Sequence, residues 1–154
     1  LVADNVKIGM HQFGEIEEVG ADHFIDTGSP HYISYCEEND TRDIVVYGRQ
    51  IRYSERYAEK GTNVNLIKKI GDQHIAVRTY ERGVENETFA CGTGATACGL
   101  SFASVNAIAK GIVEVDVKGG ALKIHFEATE KQGVYKNIWL EGPAEFVFKG
   151  EING

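Results

Sequence analysis

Ala95-Thr96-Ala97-Cys98-Gly99-Leu100-Ser101-Phe102-Ala103-Ser104-Val105-Asn106-Ala107-Ile108-Ala109 is the one long stretch without alternating polarity, and it carries no charge. Lys110-Gly111 supplies a plausible helix end. A helix this apolar and small-sided on most of its circumference is expected to be buried all round, so other elements must surround it. Elsewhere the hydrophobic pattern has a period of two, the mark of half-buried strands.

The clearest strands follow the helix. Val113, Val115 and Val117 alternate with Glu114, Asp116 and Lys118; Gly119-Gly120 makes a two-residue turn; Leu122, Ile124 and Phe126 alternate back. A turn ending at Gly133 leads to a strand over 134–140, and Gly142-Pro143 is expected to break it before a last strand over 145–148. This predicts a meander of about four strands. Before the helix, residues 64–70 and 75–80 predict a hairpin around Gly71-Asp72, and 23–26 and 32–36 flank a Gly-Ser-Pro turn. Residues 43–57 mix strand and helix signals and are read as a short surface helix. Trp139, between Ile138 and Leu140, is expected in the core. The fold class is therefore α+β, with antiparallel strands wrapped as a barrel-like sheet around one central buried helix.

At 154 residues one domain is the expectation. Sixteen basic against 23 acidic residues give a formal net charge of -7, and the basic residues are scattered. This argues against nucleic acid or a membrane surface as partner and favours a small molecule. The start, Leu1-Val2-Ala3-Asp4-Asn5, lacks the charged and apolar regions of a secretion signal, so a cytoplasmic protein is expected. The first residue is not Met, and the chain is taken for a piece of a longer protein. Cys36, Cys91 and Cys98 suggest neither a disulfide framework nor a zinc site. Cys36 and Cys98 are assigned to packing.

Chemistry concentrates just before the helix, in Thr79-Tyr80-Glu81-Arg82-Gly83-Val84-Glu85-Asn86-Glu87-Thr88-Phe89-Ala90-Cys91-Gly92-Thr93-Gly94. Cys91 stands at the helix start, where free N–H groups and the helix dipole favour an anion and hence the thiolate. The amides of Gly92, Thr93 and Gly94 form a cradle for a carboxylate or phosphate, which would place a substrate α-carbon beside the sulfur. Read alone, a cysteine here is more often a small buried apolar residue, and Gly-x-Gly is a weak signal. On the same footing Asn63 and Asn65 read as turn residues, His31 as a loop histidine and Glu81-Arg82 as a surface ion pair.

Taken together, Tyr80-Glu81-Arg82-Gly83, Glu87-Thr88-x-Ala90-Cys91-Gly92-Thr93-Gly94-Ala95, Gly28-Ser29-Pro30-His31 and Gly61-Thr62-Asn63-Val64-Asn65 resemble the C-terminal half of diaminopimelate epimerase, over about residues 26–143. The resemblance implies that residues 1–154 are a C-terminal domain whose N-terminal partner domain is absent. It implies interconversion of LL- and meso-diaminopimelate without pyridoxal phosphate or metal, by two cysteines from two similar domains, in the supply of lysine and cell-wall precursor. Cys91 corresponds to the second cysteine. Gly92 and Thr93 correspond to the amides that bind the carboxylate at the reacting centre. Arg82 corresponds to the guanidinium on the distal carboxylate, Glu81 to the contact with the distal ammonium, Asn63 to an amide near the distal stereocentre, and His31 to a histidine beside the site. Ser29 stands where the family more often has Asn, with a shorter reach.

The Asn-Gly-x-x-Arg-Cys motif of the first cysteine is missing, so the chain is expected to be inactive alone. Its exposed apolar cleft would make a homodimer one outcome. The resemblance also has the last strand cross toward the missing domain. Competing readings are a proline or hydroxyproline racemase, which shares Cys-Gly-Thr-Gly but lacks Tyr-Glu-Arg-Gly; a phenazine-biosynthesis-type isomerase, which has an acidic base instead of the thiols; and an anion-binding module without chemistry. A thiol-protease-like role is remoter, because no recognisable pattern pairs Cys91 with a histidine.

Overall fold

The computed structural model describes residues 4–11 and 13–152. Among them lie strands β1 (Asp4–Gly9), β2 (Glu17–Val19), β3 (Asp22–Asp26) and β4 (Pro30–Tyr35), helix α1 (Ile44–Arg52), strands β5 (Asn63–Gly71), β6 (His74–Glu81) and β7 (Asn86–Thr88), helix α2 (Gly92–Val105), and strands β8 (Lys110–Val117), β9 (Gly120–Ala128) and β10 (Tyr135–Ala144). One mixed sheet runs β1-β10-β9-β8-β6-β5-β4-β3-β2, with β7 paired to β6.

The expected α+β class holds, but the barrel does not. The two ends of the sheet, β1 and β2, do not pair with each other. Nor are all strands antiparallel, because β4 pairs parallel with β5 and β6 with β8. In each case a helix lies on the connection, α1 between β4 and β5 and α2 between β6 and β8, and such a crossover returns the chain in the same direction. The described residues thus hold two helices, the central one and the short surface helix expected within 43–57.

α2 is the buried one. All residues from Gly94 to Ala103 are buried, and the helix packs against β3, β4, β5, β6, β8, β9 and β10. Ile33, Ile67, Val77, Val113, Val115, Ile124 and Phe126 close around Ala95, Cys98, Leu100 and Phe102. Their in-phase spacing along each strand is what bends one sheet face around the helix. α1 covers the opposite face, where Ile44 joins Tyr32, Val64, Leu66 and Tyr80. β5 is therefore covered on both sides, and its residues Asn63 to Ile67 are all buried.

Three strand-level expectations change. β10 runs through Gly142-Pro143 to Ala144 because it pairs with β1, where Pro143 faces Asn5 on an interstrand ladder. Residues 145–152 form no strand, and Phe146, Val147 and Phe148 are 70%, 83% and 80% exposed. The meander accordingly has three strands. Trp139 is not core but 41% exposed: it lies one residue from buried Ile138 and so on the outer sheet face, over Gly9. The surface helix expected within 43–57 is α1, started by Asp43. No helix among the described residues is long and apolar enough to cross a membrane.

Candidate active site

The two helices begin differently. At α1 the Asp43 carboxylate accepts from the Val45 and Val46 N–H groups, both at 3.0 Å, a standard N-cap. At α2 the N-cap is Cys91, in extended conformation (φ -131, ψ 106), and its side chain makes no cap bond. The first intrahelical bond runs from the Ala95 N–H to the Cys91 carbonyl at 2.8 Å. The amides of Gly92, Thr93 and Gly94 precede that ladder, and no acidic side chain occupies the first turn. A half-buried thiol therefore stands at an uncapped positive helix end. Cys98, further along α2, is fully buried, and desolvation pushes its thiol well above the ordinary range, with the charge of Cys91 adding to the effect.

Behind Cys91 runs a chain of polar groups. The Cys91 sulfur is 3.4 Å from the Thr93 hydroxyl, which is 3.1 Å from His31 Nε2. His31 Nδ1 is 3.2 Å from Asn65 Nδ2, and the Thr79 hydroxyl donates to Asn65 Oδ1 at 2.9 Å. His31 lies on β4 and is 0% exposed, so the loop reading is corrected. Burial, aided by the nearby Arg82 charge, lowers its pKa to about 4. The ring is neutral at neutral pH. Gly94 makes room for this arrangement, because a Cβ there would lie 2.9 Å from Asn65 Oδ1 and 3.1 Å from His31 Cε1.

A second cluster adjoins it, since His31 and Asn63 are register partners across β4 and β5. Asn63 donates from Nδ2 to Ser29 Oγ at 2.8 Å and to the Pro30 carbonyl at 3.0 Å, while its Oδ1 accepts from the Arg82 N–H at 2.9 Å. Asn63 and Asn65 thus belong to a strand, not a turn. The Arg82 guanidinium is exposed and donates to the Lys60 carbonyl at 2.8 Å. Gly61 (φ +73) permits the close passage, for a Cβ there would lie 2.7 Å from Arg82 Cδ and 2.6 Å from Arg52 Cζ. Glu81, half-buried at the end of β6, joins neither cluster by a side-chain hydrogen bond among the described residues.

Two contributors escaped the sequence reading. Thr79 anchors Asn65, as above. Glu85, with φ 58, ties down the Glu81–Asn86 loop by accepting from the Tyr80 hydroxyl at 2.6 Å, the Tyr53 hydroxyl at 3.1 Å and the Gly83 N–H at 3.1 Å. The Tyr80 bond is the largest of the causes that hold the Glu85 pKa below its ordinary value. Nothing in the local sequence marks Glu85 out from its acidic neighbours. The surface hollows lined by Gln73, His74 and Lys123, and by Arg78, Glu87 and Lys118, do not have Cys91 in their lining.

The family described as "Diaminopimelate epimerase" matches residues 23–147. The chain is 37% identical over 144 residues to a diaminopimelate epimerase of Flavobacterium psychrophilum, covering 92% of this chain and 56% of that protein. It is 42% identical to one of Hydrogenobaculum sp., covering 85% and 46%, and 46% identical to one of Archaeoglobus fulgidus, covering 80% and 40%. The chain spans about half the length of these curated relatives. Among solved structures, the "probable proline racemase" of Agrobacterium radiobacter superposes with a TM-score of 0.59 at 15% identity, over 97% of this chain and 53% of that one. A phenazine biosynthesis protein of Bacillus anthracis gives 0.50 at 13% identity, over 84% and 39%. These structural likenesses speak to the fold alone. By the family match and the curated relatives, this chain belongs to the diaminopimelate epimerase family.

Proposed function

We propose that this chain is the C-terminal half of a two-cysteine, cofactor-independent epimerase that inverts one α-carbon of diaminopimelate. The observation that carries the reading is the half-buried Cys91 at the uncapped start of α2, beside three amides ahead of the helical ladder. A substrate carboxylate held by the Gly92 and Thr93 amides would bring its α-carbon to the sulfur. One cysteine, as thiolate, takes the α-proton; the other, as thiol, delivers a proton to the opposite face. An α-carbanion beside a carboxylate is too unstable to wait, so the two groups must flank it together. Cys91 supplies one face, and the missing domain would supply the other.

Recognition of the distal end falls to the second cluster. Arg82 has no carboxylate partner among the described residues, so its fork is available to a substrate carboxylate. Glu81, half-buried at the end of β6 beside Arg82, would contact the distal ammonium. Asn63 has committed its amide to Ser29, Pro30 and Arg82. It therefore acts by shaping the pocket, and Ser29, accepting from Asn63, keeps its own hydroxyl proton to offer the substrate.

The test is solvent deuterium incorporation at the α-carbon of LL-diaminopimelate, with this chain alone and with a separately expressed N-terminal half. Incorporation is expected only when both halves are present. In the complete protein, exchange that persists at the wild-type rate in Cys91→Ala would overturn the assignment.

A further inference from the structure

Asn65 carries two pieces of information that together settle how the buried polar chain is polarised. Its Nδ2 lies 3.0 Å from the Tyr32 carbonyl, an obligate acceptor, and its Oδ1 lies 2.9 Å from the Thr79 hydroxyl, a donor. Turning the amide over would set oxygen against the Tyr32 carbonyl oxygen, so the orientation is pinned. The second Nδ2 hydrogen then points at His31 Nδ1, 3.2 Å away. An amide N–H has nothing to accept with, so Nδ1 must offer its lone pair. In a neutral ring the proton is left on Nε2, which faces Thr93 Oγ1 at 3.1 Å. The threonine oxygen accepts that bond, and its single proton is free for the Cys91 sulfur at 3.4 Å.

We propose that Asn65 is a positioning residue: it holds His31 in the Nε2–H form and thereby directs the Thr93 hydroxyl proton at the Cys91 sulfur. The device stabilises the thiolate without placing a charge beside it. Every bond from Thr79 to Cys91 is donated in the same direction, and each buried donor finds an acceptor. A protonated, cationic His31 would instead require desolvation of a charge at a position with no exposure. Among the described residues, Arg82 bears on His31 with its charge, and Cys98 feels that of Cys91 from within α2. Neither is altered in the variants below.

The proposal rests on reading Cys91 as the reacting thiol, but its test uses no substrate, so it fails or stands separately from the deuterium experiment. Long-range 1H–15N correlation spectra of the full chain are expected to show His31 protonated at Nε2 and bare at Nδ1. In Asn65→Asp, where an acceptor replaces the donor, a proton is expected on Nδ1. Iodoacetamide alkylation of Cys91, followed by peptide mass spectrometry across pH, reads the other end. Thr93→Val is expected to raise the midpoint by about one pH unit, or slow alkylation at neutral pH roughly tenfold, and Thr93→Ser to restore it. A wild-type ring protonated at Nδ1 instead of Nε2, an Asn65→Asp variant whose His31 Nδ1 stays bare, or a Thr93→Val midpoint equal to wild type would each overturn the proposal. The wild-type spectrum and the Thr93 pair decide the matter even if Asn65→Asp does not fold.

Discussion

His31 and Thr93, 62 positions apart in the chain, meet through Nε2 and Oγ1 at 3.1 Å. The contact joins strand β4 to the first turn of the buried helix, so whatever changes the histidine is felt beside Cys91. The first prediction concerns that ring. Burial lowers the His31 pKa from 6.5 to about 4, so the unfolded chain binds a proton more readily than the folded one between those values. Stability should therefore be complete above about pH 6.5 and be lost as pH falls toward 4. Between pH 7 and pH 5 the loss from this residue should be about 2 kcal/mol. Urea unfolding at the two pH values reads it. His31→Gln should remove most of the difference, while His23, also lowered by burial, leaves a remainder.

The three thiols should separate kinetically. Cys98 is fully buried and its thiol is pushed up by desolvation; Cys36 is 8% exposed; Cys91 is half-buried at the helix end. Timed alkylation of the native chain at neutral pH should label Cys91 at least about tenfold faster than either of the others. Equal labelling of Cys91 and Cys98 would contradict this packing.

Gly94→Ala should strike both stability and the buried polar chain. The new Cβ meets Asn65 Oδ1 at 2.9 Å and His31 Cε1 at 3.1 Å, neither of which can move without losing a buried hydrogen bond. A cost of roughly 1–3 kcal/mol is expected from overpacking. A urea midpoint unchanged from wild type would show that the helix can shift outward at this point.

Ser29→Ala, made in the complete protein, should weaken substrate binding more than turnover. Asn63 would lose one acceptor and the distal end of the substrate one donor, while Cys91 and its amides stay as they are. KM for diaminopimelate is expected to rise about tenfold with kcat within roughly twofold, the pattern of lost uniform binding. A fall in kcat at constant KM would place Ser29 in the chemistry instead.

Much of the architecture could be read from alternation and punctuation. The uncharged run 95–109 announced a buried helix because it is mostly small and apolar, and hairpins were expected at Gly71-Asp72 and Gly119-Gly120, though the turns fall one residue away, at Asp72-Gln73 and Lys118-Gly119, with Gly71 and Gly120 in the strands. The helix itself is Gly92–Val105, starting earlier and stopping sooner than the run of uncharged residues. Gly142-Pro143 misled for a physical reason: proline at a sheet position whose N–H is not required does not end a strand. Trp139 misled because hydrophobicity does not say which face of a strand is inside; that is decided by Ile138 one residue away.

At the site, the motif residues named in advance gather as two adjoining clusters, apart from Glu81, whose side chain makes no hydrogen bond among the described residues. Asn65 and Thr79 are harder to see. They are in phase with Ile67 and Val77 on the α2 face of their strands, so the signal was a polar residue at an inward position. Taken singly, each is indistinguishable from a turn or edge residue.

What the amino-acid sequence determined by itself was local and chemical: which segment had to be buried, where turns fall, and that a thiol precedes a glycine-rich helix start. These follow from side-chain polarity, backbone permissiveness and periodicity, all properties of near neighbours in the chain. Tertiary structure alone decided the open mixed sheet, the parallel pairings on either side of β5 and β6, and the direction of the hydrogen bonds from Thr79 to Cys91. Those depend on strand order and on contacts between residues far apart in the chain, such as His31 with Thr93, and pairings of that kind leave no period in a sequence.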